Sequence, residues 1–162
     1  MEQAVALKQA QERAERARAY FREGYNCAQS VALAFADVVA ETPEKVAAVM
    51  SGFGGGIGRL REVCGCVSAM TYVASCVRPA VHPENQVERK ANYALVQNLA
   101  ESFREEFGSI VCRDLLGLRK EAKAASPAPS ERTPHYYASR PCEEQCGKAA
   151  EILSLKLSEM DA

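Results

Sequence analysis

The sequence predicts an all-α bundle of five or six helices, built as a single domain over residues 1–162. Three observations carry that reading. Apolar residues recur at helical spacing through long segments, Asn, Thr-Pro and Gly stand where helices start and stop, and no run alternates apolar and polar residues as a half-buried strand would. At 48% hydrophobic and 25% charged, a chain of this length carries enough apolar surface for one core.

The first helix is predicted over Glu2 to Arg22, where Val5, Ala6, Ala10, Ala14, Ala17, Tyr20 and Phe21 fall near one face and Gly24 closes the run. Asn26 caps a second, Cys27 to about Ala40, which is apolar around most of its circumference through Val31, Leu33, Phe35 and Val38 and is therefore central. Thr42-Pro43-Glu44 supplies a cap and a proline at the first helical position for a third, reaching about Ser51. The stretch Gly52 to Gly58 then places five glycines in seven positions, permitting positive φ and close backbone approach. A fourth helix opens near Glu62 to Cys64 and runs to Val77, where Arg78-Pro79 stops it. Pro83 and Glu84 start a fifth that reaches Phe107, with Val87, Ala91, Ala94, Leu95, Leu99 and Phe103 on its apolar stripe and Gly108 at its end. Ser109 to Leu116 reads as a short helical turn, and residues 117–139, rich in Pro, Ala and Ser, as an irregular, mobile loop. The last helix follows Pro141 to about Glu159, with Ala149, Ile152, Leu153 and Leu157 facing inward.

Composition removes several function classes. With 20 Lys+Arg against 21 Asp+Glu and a net charge of -1, the chain has no basic footprint for nucleic acid or an anionic membrane surface. Its longest uncharged stretch, Val63 to Val77, is shorter than the roughly 20 apolar residues of a spanning helix, so no membrane insertion is expected. The charged, amphipathic start lacks the apolar core of a signal peptide, which predicts a cytoplasmic location. Seven cysteines in a reducing compartment then point to metal binding or redox chemistry rather than structural disulfides. Two histidines and no Trp leave little for acid–base catalysis.

Four cysteines stand out by position. Cys27, Cys64, Cys112 and Cys142 all fall near predicted helix N-termini, where free amide N–H groups and the macrodipole favour the thiolate, the form that attacks disulfides or binds metal. The chain also resembles the C-GCAxxG-C-C family of small proteins to which a redox role is ascribed. The resemblance rests on the segment Gly24 to Val31, the glycine run, Cys64-Gly65-Cys66-Val67-Ser68-Ala69, the segment Gly108 to Gly117, and a late Cys142. It implies that the four family cysteines are Cys27, Cys64, Cys112 and Cys142. Cys66 replaces the usual Ala of the motif and Ala69 its second Gly; Cys76 and Cys146 are additional, Cys76 being expected to fill core and Cys146 to share a helix face with Cys142.

Three readings follow. Four thiolates from four helix starts suit an iron–sulfur cluster, whose negative charge converging helix N-termini, with Arg59, Arg61 and Arg113, would offset; the resemblance leans the same way, since similar domains accompany iron–sulfur centres in some multi-haem cytochromes. The expected activity is then electron relay to a redox partner protein, as an electron-transfer component or an oxidoreductase, with self-association left open. A metal-free thiol–disulfide protein using Cys27 or Cys64 is the second reading, weakened by the lack of a C-x-x-C. A structural zinc site, drawing on four of the cysteines or on His82 or His135, is the third. The glycine run lacks the order of a P-loop, and the adjacent acids Glu105-Glu106 and Glu143-Glu144 point apart on their helices.

Overall fold

The structure is a computed structural model that describes residues 1–119 and 126–161. Among these residues it contains α1 (Glu2–Arg22), α2 (Cys27–Leu33), α3 (Ala36–Val39), α4 (Pro43–Met50), a 3-10 turn (Ser51–Phe53), α5 (Gly65–Val77), α6 (Gln86–Phe107), α7 (Cys112–Leu115), α8 (Pro134–Ser139) and α9 (Cys142–Asp161). The all-α class is as the sequence predicts. The helices outnumber the five or six expected because one predicted helix breaks in two and a predicted loop contains a helix of its own.

The first break falls in the second predicted helix. Arg13 of α1 donates to the Ala34 carbonyl at 2.6 Å, grips the Asp37 carboxylate with both nitrogens and lies over the Phe35 ring. Phe35 leaves helical geometry to enter the core, so α2 and α3 are separate pieces. The second departure is in the predicted loop of residues 117–139. Thr133 accepts from the Tyr136 amide and Pro134 takes the first helical position, which starts α8 where an irregular chain was expected. The part of that loop between 120 and 125 lies outside the described residues.

The core is shared by α1, α2, α5, α6 and α9, with Phe21, Phe35, Met70, Leu99, Phe103 and Leu153 fully buried. The expected stripe of α6 shifts by part of a turn. Asn85, rather than Pro83, starts the helix by accepting from the Glu88 amide, and the buried line runs through Asn92, Leu95, Leu99 and Phe103 while Val87 is exposed. Asn92 tolerates burial because its amide donates to the Arg78 carbonyl at 2.9 Å. Cys76 also differs from expectation. It is exposed near the C-terminal end of α5 and fills no core.

No helix among the described residues is long and apolar enough to cross a membrane.

Candidate functional site

Each predicted cysteine stands at a helix start. Cys27 is the first residue of α2, Cys64 caps α5, Cys112 opens α7 and Cys142 opens α9. Local chemistry fixes these positions. Asn26 and Gln29 form a reciprocal capping box, and the Asn26 amide also donates to the Ser51 carbonyl at 3.1 Å, tying the start of α2 to the glycine run. Cys64 and Cys112 meet because their segments pair. The Cys64 amide donates to Ile110 at 2.8 Å and the Cys112 amide to Glu62 at 2.7 Å, around an antiparallel bridge between Val63 and Val111. Cys142 is drawn in by α1, whose Arg18 and Arg22 pair with Glu144 and Glu143.

Between α4 and α5 the chain winds left-handed. Gly55, Gly56, Ile57, Gly58, Arg59 and Arg61 all have positive φ, and amides at Gly58, Arg61 and Glu62 reach back six residues for their acceptors. Three of these residues carry side chains, at a cost of roughly 1–2 kcal/mol each. Such strain is held only where the surroundings enforce it, and it gathers at functional sites. At two glycines the close approach is to the cysteines themselves. A Cβ at Gly56 would lie 2.7 Å from the Cys112 Cβ, and one at Gly65 would lie 2.5 Å from the Cys27 Sγ.

The result is one cavity of about 410 Å³ lined by Cys27, Cys64, Cys112 and Cys142 together. Arg59, Arg61, Arg132 and Arg140 line it as well, and no carboxylate does so among the described residues. Arg61 is 8% exposed and points one nitrogen at the Cys112 Sγ from 3.6 Å, while its Nε has no hydrogen-bond partner. Arg59 holds the opposite wall by donating to the Ser126 carbonyl and the Ser130 hydroxyl. Arg132 donates to the Phe21 and Tyr25 carbonyls at 3.0 Å and lies over the Phe21 ring, so residues 126–140 are strapped across the cavity.

Sequence reading expected the thiolate to be favoured at all four positions, and the structure separates them. Hydrogen bonds from the Cys64 and Cys66 thiols, with lesser help from the Gly55 and Ala28 amides, hold Cys27 well below the ordinary thiol range. The same contacts push Cys64 up, since its proton is the one shared. Burial raises Cys112, opposed by Arg61, and pushes Cys142 up to about 12. For these two, desolvation outweighs the helix terminus. Of the arginines expected to offset negative charge, Arg59 and Arg61 line the cavity; Arg113 is not among its lining residues and donates to the Leu60 carbonyl. Arg132, Arg140 and Tyr136 were not anticipated, because they sit in a segment without periodicity. His82 and His135 are exposed, and neither lines the cavity.

The chain is thus a cysteine-rich, all-α protein with four cysteines and four arginines lining one cavity. A family model covers residues 25–155, and the chain belongs to that family, described as "Putative redox-active protein (C_GCAxxG_C_C)". No curated protein and no solved structure matches the chain.

Proposed function

We propose that the cavity holds an iron–sulfur cluster on Cys27, Cys64, Cys112 and Cys142, and that the chain passes electrons to a redox partner protein in the cytoplasm. The carrying observation is the convergence of four cysteines from four separate helix starts on one arginine-lined cavity that has no lining carboxylate among the described residues. A cluster with its thiolates is anionic, and the buried Arg61, with an orphaned Nε beside Cys112, supplies matching positive charge. Among the described residues no three Cys, His, Asp or Glu side chains gather closely enough to hold one metal ion. Four ligands from four separate helix starts suit a cluster better than a structural zinc ion, whose ligands usually come in closely spaced pairs.

When bound, such a group supplies one-electron transfer. The chain's own residues supply the setting. Before a cluster binds, the Cys64 and Cys66 thiols lower the Cys27 thiol; as a ligand Cys64 gives up its proton, which leaves Cys66 as the thiol donor beside the Cys27 sulfur. Arg61 offsets charge at Cys112, and Leu115, Leu116, Pro127 and Tyr136 form the apolar part of the wall that limits water.

One observation favours a second reading. The Cys64 thiol beside the lowered Cys27 thiol is also the arrangement of an attacking and a resolving sulfur. Protein purified without oxygen decides between them by its iron, zinc and acid-labile sulfide content and its visible spectrum. Iron and sulfide with broad visible absorption support the cluster, metal-free protein with a Cys27–Cys64 disulfide supports the thiol reading, and zinc alone overturns both.

A further inference from the structure

Behind the cavity lie two sulfurs outside the four-cysteine set. Cys66 is the second residue of α5, Cys146 stands one turn into α9, and neither has any exposure. Their Sγ atoms are 3.7 Å apart although 80 positions separate them in sequence. That is contact distance for two thiols, and a disulfide needs closure to about 2.05 Å. No oxidant in solvent reaches either directly. Cys27 joins them to the cavity: the Cys146 Sγ lies 3.9 Å from the Cys27 carbonyl oxygen, and a Cβ on Gly65, the residue before Cys66, would lie 2.5 Å from the Cys27 Sγ, whereas Cys64, the other cavity sulfur near Cys66, is buried. Cys27 itself is partly exposed and lines the cavity.

We propose that Cys66 and Cys146 form a second redox couple, a buried dithiol that stores two electrons and is oxidised through Cys27 by a low-molecular-weight disulfide entering the cavity. The four arginines and the absence of lining carboxylates among the described residues select an anionic disulfide, one carrying carboxylates of its own. The Cys27 thiolate attacks that disulfide, forming a mixed disulfide and releasing one small thiol. Cys66, giving up its proton, attacks the Cys27 sulfur and expels the second small thiol, leaving a Cys27–Cys66 bond. Cys146 then attacks Cys66, so that the Cys66–Cys146 bond forms and Cys27 leaves as thiolate. One small disulfide is reduced to two thiols, which take up the protons given up by Cys66 and Cys146, and those two protein thiols become one disulfide. Cys27 is regenerated, free to hold a cofactor. When Cys27 is engaged by a cluster the route is closed, so the couple is oxidised in the cluster-free chain.

The test uses the full chain, treated with a chelator, fully reduced, desalted and incubated with oxidised glutathione. Free thiols are then alkylated under denaturing conditions and the digest is mapped by mass spectrometry. A Cys66–Cys146 bridge with unmodified Cys27 is the expected main product. Cys146→Ala should arrest the sequence at a Cys27–Cys66 bridge or a glutathione adduct on Cys27, and Cys27→Ala should slow bridge formation by about 10-fold or more. Full alkylation of Cys66 and Cys146 in the wild-type chain overturns the proposal whatever the variants do, and so does a bridge that forms equally fast in Cys27→Ala. Iron and sulfide assayed on the sample before chelation report on the cluster separately, so either idea can fail alone.

Discussion

Cys27 and Cys146 lie on neighbouring faces of one packed core, yet their surroundings make them chemically opposite. Cys27 lines the cavity, and hydrogen bonds from two thiols and two backbone amides hold it well below the ordinary thiol range. Cys146 is sealed between α5 and α9, and burial pushes it up to about 11. A helix N-terminus alone does not explain the contrast, since Cys142 opens α9 and is raised even further. What separates the lowered thiol from the raised ones here is the number of hydrogen bonds the sulfur accepts against the water it loses.

The largest expected effect follows from that contrast. In the reduced, metal-free chain at neutral pH, iodoacetamide should label Cys27 about 100-fold faster than Cys66 or Cys146, which react only after local opening. Time-resolved peptide mapping reads the order, and simultaneous labelling would break the comparison.

The geometry that keeps Cys112 at the cavity wall gives the next effect. Gly56→Ala forces a methyl to within 2.7 Å of the Cys112 Cβ at a φ of 70°, whereas Gly24→Ala meets the same backbone objection with nothing within 4 Å. Gly56→Ala should lose about 2–4 kcal/mol and Gly24→Ala about 1 kcal/mol by denaturant midpoint. Equal losses would show that backbone conformation, rather than approach to Cys112, sets the requirement.

A smaller effect appears on the alkaline side. The folded Cys142 keeps its proton to about 12 while an unfolded thiol loses it near 8.5. Between those values the native state binds more protons than the unfolded one, so stability falls as pH rises. Cys27 acts in the opposite sense: its stabilising contribution is present above the unfolded value and fades as pH falls toward its lowered one. Melting temperature should therefore decline from pH 9 upward, and Cys142→Ala should flatten that decline; a variant with an unchanged slope would assign the alkaline loss to other groups.

The smallest effect belongs to Cys76. Cys76→Ala should change stability by less than about 0.5 kcal/mol and leave any cofactor untouched, because the side chain is exposed and touches neither sulfur group.

Much of this arrangement is legible in the sequence because it is local. Asn26, Thr42-Pro43 and Gly108 act on backbone groups within a few residues, so the starts of α2 and α4 and the end of α6 can be read directly. The placement of all four family cysteines at helix starts follows from the same signals. The remainder depends on residues far apart in the chain. Arg13 breaks α2 from α3 across 21 positions, and Arg132 straps the cavity to Phe21 across 111. Burial of Cys112 and Cys142, which reverses the expected thiolate preference, is set by packing that no single segment encodes. The Cys66–Cys146 contact is likewise tertiary; sequence offers only the i, i+4 spacing of Cys142 and Cys146 on one helix, which says nothing of Cys66.

The most direct test of the central claim is iron and acid-labile sulfide per chain, measured after oxygen-free purification in Cys64→Ser, Cys112→Ser, Cys66→Ala and Cys146→Ala beside the wild type. The account predicts loss of most iron and sulfide in the first two and near wild-type content in the last two. Equal loss across all four, or a wild-type chain without iron, would contradict it.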